Sequence, residues 1–125
     1  MSADRRFAML GALFALIGVG AGAFGAHGLK ARVSPELLAI FETGVRYQIY
    51  HALALLAVSL WLRQGSHRAL HAAGWLFVAG TLVFSGSLYV LTATGVHWLG
   101  AITPIGGTAL LAGWACLAWG VARGR

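Results

Sequence analysis

The chain has 125 residues, 59% of them hydrophobic and only 10% charged, where soluble domains carry roughly 25% charged residues. That is too little polar surface to coat a water-soluble globule, so lipid is the expected solvent, and in lipid every backbone amide must be bonded internally. The apolar runs are far longer than the roughly 10-residue strands of a membrane barrel and do not alternate, which leaves helices. A net charge of +6 does not point to nucleic acid, because the Lys and Arg residues border apolar stretches instead of sharing a face. Anionic lipid headgroups are their expected partners. Cys116 stands alone in an apolar run, which excludes a disulfide or a thiolate zinc site within one chain and makes it a small buried hydrophobe.

Phe7 to Ala26 holds twenty residues with no ionisable side chain, about 30 Å of helix and one bilayer crossing. Arg5-Arg6 before it and Ala21-Gly22-Ala23 within it imitate a secretory signal, but the run exceeds the usual signal core of roughly 7 to 15 residues. Gly11, Ala15, Gly18, Gly22 and Gly25 recur at alternating four- and three-residue steps. In lipid, small residues at that spacing let helix backbones approach and form a packing seam.

Ser34-Pro35-Glu36 reads as a helix start, with Pro35 at the first position and a carboxylate in the first turn. Leu37, Leu38, Ile40 and Phe41 then suggest a short amphipathic helix lying in the interface, with Gly44 allowing a bend. Strictly apolar sequence after it runs only from Ala52 to Leu62, too short to cross. The second span, about 41–62, must therefore draw in His51, Gln48 and Arg46, with His51 ~17 Å, Arg46 ~24 Å and Glu42 ~30 Å from Leu62. Glu42, Arg46 and Tyr50 share one helix face, where the opposite charges can pair. Tyr47 and His51 form a second set.

A third span covers about 71–92. The fourth runs to Val121 from either Trp98 or Pro104, since Thr103-Pro104 suits a helix start better than a helix interior. A single transmembrane bundle over 1–125 is thus expected: all-α, polytopic, with four crossings and one interfacial helix. Arg5, Arg6, Arg63, Arg68, Arg123 and Arg125 share one side against Lys30, Arg32 and Arg46 on the other, which puts both termini on the cytoplasmic side.

Intramembrane polar groups are costly and make default site candidates. His27, Glu42, Arg46, Tyr47, Gln48, Tyr50, His51, Ser85, Ser87, Tyr89 and Thr103 all belong to the outer half and are expected to gather in a polar pocket, next to a helix start at Pro104. They are equally able to serve as structural ties. His67 and His71 lie at i, i+4 but are too few to hold a metal alone. Haem through His27, His51 or His71 lacks an attachment motif, and no Walker loop, dinucleotide fingerprint or nucleophile elbow appears. No cofactor, metal site or catalytic residue is expected.

The blocks GAFGAHGL (Gly22 to Leu29), FETGVRYQIYHALALL (Phe41 to Leu56), FSGSLYVL (Phe84 to Leu91) and LGAITPIGGTALLAGW (Leu99 to Trp114) together resemble the YgdD/YwdK-like family of small bacterial membrane proteins. This is a domain-of-unknown-function family with a small transmembrane relative in eukaryotes. The resemblance implies a four-helix inner-membrane protein and no established reaction. The expected role is a non-enzymatic bundle that binds lipid or another membrane protein, as a homo-oligomer or within a larger complex. A transporter or proton conductor using Glu42, Arg46 and His51 is the alternative, ahead of a histidine-based redox or metal protein.

Overall fold

The computed structural model describes residues 1–123. Four helices carry the fold: α1 (Ala3–His27), α2 (Pro35–Gln64), α3 (Arg68–Thr94) and α4 (Thr103–Arg123), with short 3-10 turns at Leu29–Ala31 and His97–Ala101. All four spans are long and apolar enough to cross a membrane, and no strand occurs among the described residues. The start of α1, the α2–α3 turn and the end of α4 lie at one end, here the terminal end. The Lys30 and His97 turns lie at the other, the loop end.

Local chemistry sets the boundaries. Ser34 caps α2, its Oγ accepting from the Leu37 amide at 3.2 Å with Pro35 at the first position, which relieves one unpaired amide of the first turn. His67 caps α3 by accepting from the Ala69 amide through Nδ1 at 3.1 Å, while the His71 ring is 2.9 Å from Ser66 Oγ. Those two histidines are thus spent on the turn. Gly95 ends α3 in the left-handed conformation, φ 71°, which glycine adopts without steric cost. Thr103 opens α4, and Pro104 occupies its first turn.

The expected interfacial helix is not a separate element, because α2 runs unbroken through Gly44 for 30 residues, about 45 Å. Gly44 makes room for a neighbour. A Cβ there would stand 2.9 Å from the Tyr89 ring, and the bare backbone lets Ser85 Oγ donate to the Gly44 carbonyl at 2.6 Å.

The glycine seam of α1 faces α2. A Cβ at Gly11 would stand 2.7 Å from the Ala52 carbonyl, one at Gly18 2.9 Å from Ile49, one at Gly22 3.3 Å from Val45 and one at Gly25 3.0 Å from Phe41. A second seam of the same period runs down α4: Gly106, Gly113 and Gly120 receive Phe84, Phe77 and Leu70 of α3. Seven-residue spacing on both partners is the signature of helices packed at a shallow angle. The packed pairs are sequential, α1 on α2, α2 on α3 and α3 on α4, and α1 does not pack on α4. Phe7 supplies the link from α1 to α3, fully buried and seated on Gly74. With Leu55, Val58, Leu70 and Phe77 it centres an apolar core toward the terminal end, against which Cys116 is partly buried.

The tightest of these contacts generates a test. A Cβ at Gly106 would run into the Phe84 backbone and stand 2.9 Å from the Gly80 carbonyl, neither of which can swing aside. Gly106→Ala should therefore cost about 1–3 kcal/mol of stability. Gly86→Ala, whose Cβ meets nothing within 4 Å, should be neutral or add up to ~1 kcal/mol through helix propensity. Thermal unfolding in detergent separates the two.

Candidate functional site

Away from the apolar core, α2 carries two deep polar residues, Gln48 and His51, both buried. Each is held by helices on a different side.

Gln48 is the tie toward α1 and α3. Its Nε2 donates to the Phe14 carbonyl of α1 at 2.8 Å, and its Oε1 accepts from the Tyr89 hydroxyl of α3 at 2.6 Å. One amide side chain thereby fixes the register of three helices. Around it lies a crevice of about 190 Å³ lined by Phe14, Ile17, Gln48, Thr81, Leu82, Ser85, Gly86 and Tyr89. The Thr81 hydroxyl in this crevice is buried without a hydrogen-bond partner.

His51 is the tie toward α4. Trp114 Nε1 donates to its Nε2 at 3.0 Å, and its Nδ1 lies 2.7 Å from the Tyr47 carbonyl. An indole can only donate and a carbonyl can only accept, so the proton sits on Nδ1 and the lone pair on Nε2. Phe77 and Trp114 close round the imidazole, with ring centroids at 5.5 and 5.8 Å, and Tyr47 stacks on it at 6.3 Å. Any metal or haem iron at His51 Nε2 would have to displace the indole.

On this side α2 and α4 diverge, leaving a groove of about 690 Å³ walled by Tyr47, Tyr50, His51, Phe84, Pro104, Gly107, Thr108, Leu110, Leu111 and Trp114. The wall is aromatic and aliphatic, with the imidazole's two nitrogens already engaged. Ser87 Oγ and Thr103 Oγ1, 2.6 Å apart, join α3 to the start of α4 near its loop end.

The expected polar set therefore does not form one chamber. Gln48, Ser85 and Tyr89 gather on the α1 side, Tyr47, Tyr50 and His51 on the α4 side, and Ser87 with Thr103 bridges helices. His27, Glu42 and Arg46 are exposed. Glu42 and Arg46, spaced to pair, do not: among the described residues the carboxylate within reach of a basic side chain is that of Glu36, 3.4 Å from His97 Nε2. Arg46 turns toward Thr43, its Nη2 donating to Thr43 Oγ1 at 3.4 Å. Sequence reasoning overlooked Trp114 and Thr81. Depth was the usable signal for the first, since Trp114 lies ten residues past Pro104, about 15 Å down α4 and level with His51.

A family model described as "Protein of unknown function (DUF423)" matches residues 21–107, from the last two turns of α1 to the start of α4. The chain belongs to the DUF423 family. The match contains Gln48, His51, Ser85 and Tyr89 and stops short of Trp114. Relatives in the family include the UPF0382 membrane protein YwdK of Bacillus subtilis, 48% identical over 86% of this chain and 89% of its own length. A UPF0382 membrane protein of Staphylococcus epidermidis is 48% identical over 89% and 90%, and one of Staphylococcus haemolyticus 45% over the same shares. No solved structure matches the chain. The protein is thus a small multi-pass membrane protein of a bacterial family to which no activity is assigned.

Gln48 allows a sharp test of the three-helix tie. Gln48→Leu keeps the volume but strands the half-buried Tyr89 hydroxyl, and should cost about 1–3 kcal/mol. Adding Tyr89→Phe should recover part of that loss, because removing both partners of a buried hydrogen bond is cheaper than removing one. Losses that simply add in the double variant's melting curve would show that the pair does not interact.

Proposed function

We propose that this DUF423 protein is a non-enzymatic lipid-binding protein of the bacterial inner membrane, with both termini cytoplasmic, and that an acyl chain occupies the groove between α2 and α4. The observation that carries this reading is the groove's chemistry: about 690 Å³ of aromatic and aliphatic wall, whose imidazole has both nitrogens hydrogen-bonded inside the protein. Thr108 Oγ1 is likewise spent on the Pro104 carbonyl at 2.8 Å, which leaves the Tyr47 and Tyr50 hydroxyls as the free polar groups of a site that otherwise offers shape and apolar area. Because α2 and α4 are not packed together, the groove opens sideways, toward the hydrocarbon from which a chain would enter.

Transport or proton relay draws less support. A relay needs groups that can give and take protons in sequence. The His51 proton is bonded to a helix carbonyl, and its lone pair faces an indole that does not relay. Glu42 and Arg46, the other members of that scheme, line neither the groove nor the crevice. A homo-oligomer or larger complex would draw on the outer face of α1, where Leu13, Leu16, Ile17 and Val19 are exposed.

Gly107 supplies the test. A Cβ there meets only the Phe84 ring at an ordinary 3.7 Å, so Gly107→Phe adds bulk to the groove wall without a clash at its first atom. In vesicles containing a phospholipid with a photoreactive acyl chain, adducts should concentrate on the segments bearing Tyr50, Leu111 and Trp114. Gly107→Phe should reduce them several-fold. Equal labelling of the groove and of the lipid-facing side of α1 would overturn the reading.

A further inference from the structure

The groove between α2 and α4 has a direction. Its α4 wall starts at Pro104 and ends at Trp114, about 15 Å along the helix, which is the hydrocarbon thickness of one leaflet. On α2 no lining residue lies beyond His51 toward the terminal end. At that level Trp114 Nε1 donates to His51 Nε2 at 3.0 Å and ties the two walls together. The groove is therefore half a membrane deep, with a tied floor near mid-membrane and its other limit at the loop end, where α4 starts.

The free polar groups of the wall stand toward that loop-side limit. His51 and Thr108 are bonded within the protein, which leaves the hydroxyls of Tyr47 and Tyr50. Both tyrosines line the groove, their ring centroids 5.6 Å apart, and Tyr47 packs on Phe84 of α3 at 4.6 Å. They precede Arg63 by about 24 and 20 Å of helix. Long side chains lean toward the N-terminus of their helix, and the N-terminus of α2 is at the loop end. The hydroxyls thus approach the loop-side boundary of a hydrocarbon layer roughly 30 Å thick, the level at which acyl chains join their glycerol esters. A phenol can donate there to an ester carbonyl, which can only accept. Among the described residues no Lys or Arg lines the groove, so the carboxylate of a free fatty acid would find no counter-charge in the wall.

We propose that the groove takes one ester-linked acyl chain from the loop-side leaflet, with the ester carbonyl held by the Tyr47 and Tyr50 hydroxyls and the methyl end on the His51–Trp114 floor. This assignment rests on the lipid reading of the groove and adds the linkage, the leaflet and the direction of the chain.

Phospholipids carrying a diazirine at one or other end of the chain test the direction in proteoliposomes. Placed near the ester, the probe should label the segments bearing Tyr50 and Pro104; placed near the methyl end, the segment bearing Trp114. The reverse order, or the same segments from both probes, overturns the direction. Competition reads the carbonyl. Unlabelled diester phospholipid should displace the probe roughly fivefold better than the diether with the same headgroup and chains, the scale of one neutral hydrogen bond. Tyr47→Phe combined with Tyr50→Phe removes only two hydroxyls from exposed rings, so it should melt as the parent does and abolish that preference. Equal competition by diester and diether in the wild type, a preference that survives in the double variant, or a free fatty acid that displaces the probe better than the diester overturns the ester assignment. In each of those cases persistent groove labelling spares the acyl-chain reading. Absence of groove labelling from both probes removes both.

Discussion

Two glycine heptads, one on each outer helix, decide the arrangement of everything else. In lipid no hydrophobic force draws helices together, so contact area and close backbone approach must do so. Gly11, Gly18 and Gly25 let α1 settle on α2, and Gly106, Gly113 and Gly120 let α4 settle on α3. Each outer helix thereby commits its small-residue face to one neighbour. Neither has such a face left for the other, and the four helices form a sequential row instead of a closed ring. The groove and the crevice are consequences of that choice: each occupies an angle between two helices that share a third.

Polar ties then fix register within the row. An unpaired polar group in hydrocarbon costs several kcal/mol, so a buried hydroxyl or amide is a strong constraint on how helices slide. Ser59 donates to the Asp4 carbonyl at 2.7 Å, Ser85 to Gly44 at 2.6 Å, and Gln48 spans α1 and α3. The same logic fixes the tautomer of His51. Its carbonyl partner comes from its own helix and its donor from α4, so the ring serves α2–α4 register through a side-chain contact. The Thr81 hydroxyl, buried and unpartnered, is the exception to this economy.

Sequence made the crossings legible because a run such as Phe7 to Ala26 has a length that only one solvent explains. The α1 seam and the Ser34 cap were legible for a related reason: each is a local pattern with a local cause. The role of Gly44 in packing was missed because glycine has two uses, freedom and smallness, and only the position of Tyr89 on another helix reveals the second. That Glu42 and Arg46 can pair was read from spacing, which leaves out the competing Thr43 hydroxyl one turn away. The polar pocket was inferred from shared depth. Depth is one coordinate of three, and the angular coordinate around α2 sends Gln48 and His51 to different neighbours. The α4 heptad was overlooked although its period equals that of α1, since the glycines at Gly106 and Gly107 disguise a seven-residue repeat.

The open row also changes what counts as the finished structure. In the most apolar window of α1 only 17% of residues are buried, against 50% in α3, although both helices cross the same bilayer. Leu16 and Leu111, 69% and 73% exposed on the outer helices, have no protein to pack against. In a bilayer lipid would supply that packing, and unequally: a convex face such as that of α1 would meet many interchangeable chains, whereas a concave one would hold a single chain against several walls at once. Contact with Tyr50, Phe84 and Trp114 together restricts a chain far more than contact with one leucine ridge, and restriction is what turns solvent into ligand. On the proposed reading the α2–α4 side is where that transition would occur, because each glycine heptad commits its helix to another neighbour and the gap between α2 and α4 is bridged by side chains such as His51 and Trp114.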